Sequence, residues 1–230
     1  MSCESCHSPA ADWLDVHNNY ELDASGERAT RETETRDHRA SRLEETTRLG
    51  MIRPDQPYLL AQNCFQCHTV PREELVNTGE HAAGSDFELV ARLGGEVRHN
   101  FQLSNDEVNR DAARDYDPAN RNRVFYVLGQ MLDLEYELRG LAEATMSGTY
   151  AEAMTDRAAA AMDRLRAIQT AAQVIAPSIQ QILDAASQAD LAPSNNGPLV
   201  AAADQIRTVA QAFAAEHDGS ALGSLDPLLP

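Results

Sequence analysis

The pattern that most constrains this chain is Cys-x-x-Cys-His, which occurs twice, as Cys3-Glu4-Ser5-Cys6-His7 and as Cys64-Phe65-Gln66-Cys67-His68. It is the attachment motif for c-type haem. Two thiols three positions apart form thioethers to the vinyl-derived carbons on one edge of a porphyrin. The imidazole that follows is directed beneath the iron as proximal ligand. The chain is therefore expected to hold two covalently attached haems c, through Cys3, Cys6, Cys64 and Cys67, with His7 and His68 on the irons. Two other readings of the cysteines exist. Four thiols in two pairs also suit one four-cysteine zinc site, which would make the chain a zinc-stapled helical interaction module. Zinc needs no histidine after each pair, and two such placements by chance come to roughly one in a thousand for this motif. A thioredoxin-like pair asks for one motif in a βαβ setting, and strand signals are almost absent.

The metal-ligand residue types are segregated. Residues 1–116 hold all four cysteines, six of the seven histidines, 22 acids and 12 arginines, against one histidine, 14 acids and seven arginines in 117–230. Two domains are expected: a dihaem-binding cytochrome c domain over 1–116 and a helical bundle over 117–230. The fold class is mainly α. All 19 basic residues are arginine, and the 36 acids leave a net charge of -17. A surface this acidic repels phosphate backbones, which excludes nucleic acid as a partner. No run approaches the roughly 20 apolar residues of a membrane helix.

The second half is patterned for helices joined by short loops, which argues for an antiparallel bundle. Asp117-Pro118 is a cap followed by proline at the first helical position. Val124, Val127, Leu128, Met131, Leu134, Leu138 and Leu141 then recur at helical spacing. After Gly148, Thr149 is expected to cap a helix carrying Met154, Ala158, Ala161, Leu165, Ile168, Ala172 and Ile175. Pro177 ends it, Ser178 to Asp190 is a shorter piece, and Leu199 to Phe213 defines the last helix, closed near Gly219. The alanine-rich faces allow close helix approach or a homo-oligomer interface. In the first half, Asp37 to Arg48 reads as a charged helix with Gly50 beyond it, and Asp55 to Gln62 as a short helix leading into the second motif. Ser85 with Glu88, and Ser104 with Glu107, are capping-box patterns.

The second axial position of each iron separates electron transfer from chemistry. His17 and His81 follow their motifs closely, and His81 lies among Gly79, Ala82, Ala83 and Gly84. His99 has a similar setting between Gly94-Gly95 and Phe101. These three are the candidate distal ligands. His38, dense with charge on its helix, is expected at the solvated surface, and His217 at a helix C-terminus is expected to be structural. Met131, Met154 and Met162 belong to the core, with Met51 an outside candidate. Trp13, Tyr20, Phe65, Phe87 and Phe101 cluster around the motifs, where aromatics pack on porphyrin faces.

The segment Cys3 to His17, CESCHSPAADWLDVH, resembles the multihaem cytochrome c family typified by the tetrahaem electron carrier of ammonia oxidisers, and Asn63 to Phe101 is similar in style. The resemblance covers roughly the first 100 residues. It implies His7 and His68 as proximal ligands and His17 and His81 as distal candidates. Ser8 stands where that family usually has glycine, two motifs are present instead of four, and the helical second half is not part of the resemblance. Cys3 leaves no room for a signal peptide after Met1, so the sequence is expected to be the N-terminally truncated part of a longer periplasmic protein, or to begin at a miscalled start. The expected function is electron transfer, as a carrier and not an enzyme, between redox partners that present a basic docking face. The alternative is a haem enzyme acting on a small nitrogen or oxygen species at a five-coordinate iron.

Overall fold

The computed structural model describes residues 4–70, 72–84, 87–93 and 117–230. It is mainly helical, and the only strand-like pairing among the described residues is an isolated antiparallel bridge between Leu22 and Arg28. No described helix is long and apolar enough to cross a membrane. The chain divides into two compact units, Met1–Asn63 and Cys64–Pro230.

In the first unit, helices α1 (Glu4–His7), α2 (Leu14–His17) and α3 (Arg36–Arg48) are followed by α4 (Pro57–His68), whose last turn carries the second motif into the other unit. Thr35 caps α3: its hydroxyl accepts from the His38 N–H at 3.4 Å. The Glu21 carboxylate accepts from the Thr35 N–H at 2.5 Å and from its hydroxyl at 2.9 Å. Gly50 ends the helix. At φ 96° it takes the left-handed conformation that glycine adopts without penalty. The Gly50 N–H then bonds Thr47 O and the Met51 N–H bonds Thr46 O, both at 2.9 Å, which is a Schellman closure. That turn directs residues 50–52 back against the first motif.

The second unit begins with α5 (Glu73–Asn77) and α6 (Leu89–Ala91), followed by four long helices: α7 (Pro118–Glu143), α8 (Thr149–Ala171), α9 (Ala176–Gln188) and α10 (Asn196–Glu216). A 3-10 segment, Ser220–Leu228, closes the chain. Helix α7 packs on α8 and α10, and α9 packs on the same two. Along the first pair, Gln130 and Asp133 bond Arg164, Asp133 also bonds Arg157, and Gly140 faces Tyr150, so α7 and α8 run in opposite directions. The expected stripes form the core: Val127, Leu128, Met131, Leu134, Leu138, Met154, Ala158, Leu165, Ile206 and Ala210 have no exposed surface, and Ile179 joins them. Met162 is buried beside them, and Met51 is buried in the first unit.

The boundary between units differs from the one composition led us to expect at residue 117. Helix α5 packs on α8, and α6 on α7, which draws residues 64–93 into the unit of the long helices. The same contacts change the capping of α8. Thr149 is its first residue, not its cap, and Gly148 offers no side chain. Asn77 Oδ1 accepts the Tyr150 N–H at 2.9 Å instead, and the Glu73 carboxylate takes the Thr145 N–H at 2.9 Å and its hydroxyl at 2.7 Å. In α6, Glu88 is itself the cap, accepting from the Ala91 N–H at 2.6 Å. Ser104 and Glu107 lie outside the described residues. Asp117 and Pro118 start α7 as expected, with Asp117 accepting the Asn120 N–H at 2.9 Å.

Candidate haem-attachment sites

In both motifs the histidine is the last residue of a helix, α1 for His7 and α4 for His68. Helical backbone brings positions three apart to one face, which is the disposition that Cys64 and Cys67 need to reach one porphyrin edge. Cys64 is half-buried and forms no disulfide. Cys3 and His99 lie outside the described residues, as do the side chains of Cys6 and Cys67.

The Ile52 N–H donates to His7 O at 3.1 Å, and His7 Nδ1 meets Ile52 O at 2.6 Å. A carbonyl can only accept, so Nδ1 carries the proton and Nε2 presents its lone pair. Metal-binding imidazoles are commonly fixed this way, by donating the other ring N–H to a backbone carbonyl. Ser8, where the resembling family has glycine, has φ 73°, in the region that favours glycine. Its hydroxyl offsets that cost by donating to Gly50 O at 2.5 Å and accepting from the Trp13 indole at 3.3 Å.

His17 lies in the same unit. Its Nδ1 is buried and has no hydrogen-bond partner among the described residues, and the Trp13 ring meets its ring edge-on at 5.9 Å. Burial depresses its pKa first, with Arg42, Arg53, His7 and Arg31 adding to the effect. The neutral form that this favours is the one that ligates metal. The backbone of His17 is held by Arg42, whose Nη1 donates to His17 O at 2.8 Å. Arg42 is in turn fixed by two bonds to Glu34, at 2.7 and 2.6 Å, and lies over the Tyr20 ring at 4.4 Å. His38 departs from the expected solvated position: it is half-buried, with Nδ1 at 2.7 Å from the same Glu34 carboxylate. The buried acid recruits it.

Glu34 makes the first unit acid-sensitive. Its pKa lies at about 2, below the usual 4.5, chiefly because Arg42 hydrogen-bonds the ionised form. A depressed pKa gives stability that is present above pH 4.5 and disappears as pH falls towards 2. Part of the network meets solvent, so the loss is expected to be about 1–2 kcal/mol. Trp13, the single tryptophan, is buried in that unit and reports it by fluorescence. An acid transition that persists unchanged in Glu34→Gln would contradict the assignment.

In the second unit, the half-buried His68 ring stacks on Phe87 at 4.2 Å and 12°. Stacking covers the ring face and leaves the in-plane nitrogen lone pairs unobstructed by Phe87. Phe87 meets Phe65 edge-on at 5.0 Å, and Phe65 reaches Tyr136 at 6.1 Å, so four of the rings around this motif are continuous. His81 is exposed, with Nδ1 at 2.7 Å from Ala82 O, which leaves Nε2 as its lone-pair nitrogen. Phe101 lies outside the described residues.

The chain matches no family model, no curated protein and no solved structure. The motifs and their surroundings carry the functional reading alone. Among the described residues no group of three or more His, Cys, Asp or Glu side chains is gathered as for a metal ion.

Sequence reading missed a second polar feature, inside the long helices. Helix α7 is buried on every side from Val124 to Glu135 and carries Asp133, Glu135 and Glu137 into the interior. Arg157 Nη2 lies 2.7 Å from Asp133 Oδ1 and 2.9 Å from Glu137 Oε1. Arg164 Nη2 meets Asp133 Oδ2 at 2.9 Å. Glu135 pairs with Arg139 at 2.9 Å and with Arg207 at 3.1 Å. The available signal was three acids at alternate positions, interleaved with the apolar stripe of Met131, Leu134 and Leu138.

Proposed function

We propose that this chain is a c-type cytochrome holding two haems, attached through Cys3 and Cys6 and through Cys64 and Cys67, with His7 and His68 as proximal ligands. It passes single electrons between periplasmic redox proteins. The observation that supports this reading is the His7–Ile52 pairing, which engages Nδ1 with a backbone carbonyl and leaves Nε2 as the nitrogen available to an iron. When bound, haem c supplies a reversible Fe(III)/Fe(II) couple. The chain's own residues do the rest. Ile52 and Phe87 orient the two imidazoles, Arg42 positions His17 as a distal ligand, and His81 and His99 are the further distal candidates. The architecture proposed is a haem-bearing N-terminal unit followed by an antiparallel helical bundle, which serves as cover or as a homo-oligomer interface. With 36 acids and no lysine, docking requires a partner with a basic face or one that engages the arginines bidentately.

Expression with the haem maturation machinery tests the reading. Two haems per chain by haemochrome spectrum are expected, and one after replacing Cys64 and Cys67 by alanine. Carbon monoxide should leave the reduced spectrum unchanged, as six-coordinate irons require. A colourless protein with one zinc overturns the cytochrome assignment. A spectrum shifted by carbon monoxide replaces the carrier with an enzyme acting on a small ligand.

A further inference from the structure

The strongest unexplained feature is Glu137. It has no exposed surface, and neither carboxyl oxygen has a well-directed hydrogen bond among the described residues. Two atoms beside it, Arg157 Nε and the Tyr150 hydroxyl, are buried and have no hydrogen-bond partner among the described residues. Gly140 supplies the room, since a Cβ there would stand 2.8 Å from the Tyr150 oxygen and 2.9 Å from Met154 Sδ. Arg157 Nη2, at 2.9 Å from Oε1, is the one guanidinium paired with it among the described residues, and an ionised carboxylate so deeply buried is disfavoured relative to the protonated form.

The charges that face Glu137 can be named element by element. From α8, Arg157 attracts the ionised form, and on its own helix Asp133 repels it. Tyr150, also on α8, is pushed up to about 12 by burial first, then by Glu137, Glu143 and Glu73. The charges of α10 that meet α7 are engaged elsewhere, Asp204 with Arg139 and Arg207 with Glu135. Glu88, beside α6, acts on Tyr126. Burial dominates and holds the Glu137 carboxyl well above the usual range.

Two chains of contacts join this carboxyl to the second motif. Arg157 Nη1 donates to Ala83 O at 3.1 Å, and the next residue, Gly84, lies so close to His68 that a Cβ would sit 2.6 Å from its carbonyl oxygen and 3.4 Å from Arg157 Nη1. Tyr136, adjacent to Glu137 in α7, leads through Phe65 and Phe87 to the His68 ring.

We propose that Glu137 is a proton-binding site coupled to electron transfer at the second motif, taking up a proton when the haem at Cys64–His68 is reduced and releasing it on oxidation. This rests on the haem reading given above. The step balances: a one-electron donor protein reduces Fe(III) to Fe(II), and the Glu137 carboxylate takes one proton from water to become the acid. The coupling is electrostatic. Reduction removes one positive charge, and losing a positive charge in low-dielectric surroundings raises the proton affinity of a neighbouring carboxyl. Arg157 contacts both the Glu137 carboxyl and the Ala83 carbonyl beside Gly84 and His68.

The test uses the full chain with Cys3 and Cys6 replaced by alanine, so that only the second haem titrates. Its midpoint potential should fall with rising pH, by up to about 59 mV per unit for one proton per electron, and the slope should flatten in Glu137→Gln. A slope equal in both proteins, or absent from both, overturns the coupling. Should Glu137→Gln not fold, redox-difference infrared spectra of the unsubstituted protein decide, since reduction should add a protonated-carboxyl band and an unchanged carboxyl region refutes it. The haem-free chain separates this inference from the haem reading. Its stability should decline as pH rises above 4.5, because the raised pKa favours the folded state only while the group is protonated. Glu137→Gln should remove that decline. If the decline is found but no haem binds, the coupling falls with the haem reading. If haem binds and the decline is missing, the proton site alone is wrong.

Discussion

Replacing Arg157 by alanine is expected to cost about 3–5 kcal/mol, the usual result of leaving a buried charge without its partner. Arg157 is almost wholly buried, contacts both Asp133 and Glu137, and holds Ala83 O through its other nitrogen. Its loss leaves Asp133 dependent on Arg164, whose side chain is 43% exposed. Such a penalty measures the orphaned acid rather than the net value of the ion pair. Substituting all three, as Asp133→Leu, Glu137→Leu and Arg157→Met together, should therefore cost much less than Arg157→Ala alone, because apolar groups of similar size fill the space without desolvating charge. Urea unfolding with an unchanged m-value checks both. A triple variant that is the less stable of the two would mean that the network is worth its burial.

Gly219→Ala is the second large effect. Gly219 has φ 87°, and a Cβ there would be driven into the backbone carbonyl of Asn120, in the first turn of α7. Left-handed geometry costs a non-glycine residue roughly 1–2 kcal/mol, and the collision is with backbone that has little freedom to move. About 2–5 kcal/mol is expected in all. The alternative relief is release of Ser220–Leu228, which would uncover Leu222 and Leu225 and break the Arg123–Asp226 pair at 2.6 Å. Hydrogen exchange distinguishes the outcomes. Wild-type stability with full protection of the Leu222 amide would show that the turn adapts freely.

What the sequence disclosed was mostly local. Asp117-Pro118 predicts its helix start because a cap and a fixed φ act within four residues, and Gly50 marks the end of α3 for the same kind of reason. The apolar stripes identify Leu134, Leu138 and Leu165 as core because helical period and burial coincide. The long-range features were hidden. Nothing near His7 announces that Ile52, 45 positions on, supplies its acceptor. Nothing near Thr149 announces that Asn77 caps the helix in its place. Glu34 closes on Arg42 from eight positions away, and Asp133 and Glu137 meet Arg157 only once α8 is brought against α7. Complementarity between distant residues has no period, so pattern reading does not reach it.

The His7–Ile52 pairing also sets an order of events in the life of the chain. When the first motif leaves the ribosome, the residue that will aim its imidazole has not yet been made, and 44 residues must follow before it exists. Thioether bonds at Cys3 and Cys6, on the haem reading, would draw on the motif alone and not on that distant partner. On the haem reading proposed above, covalent capture and axial coordination would be separable steps, the first depending on the motif itself and the second also on a residue 45 positions away.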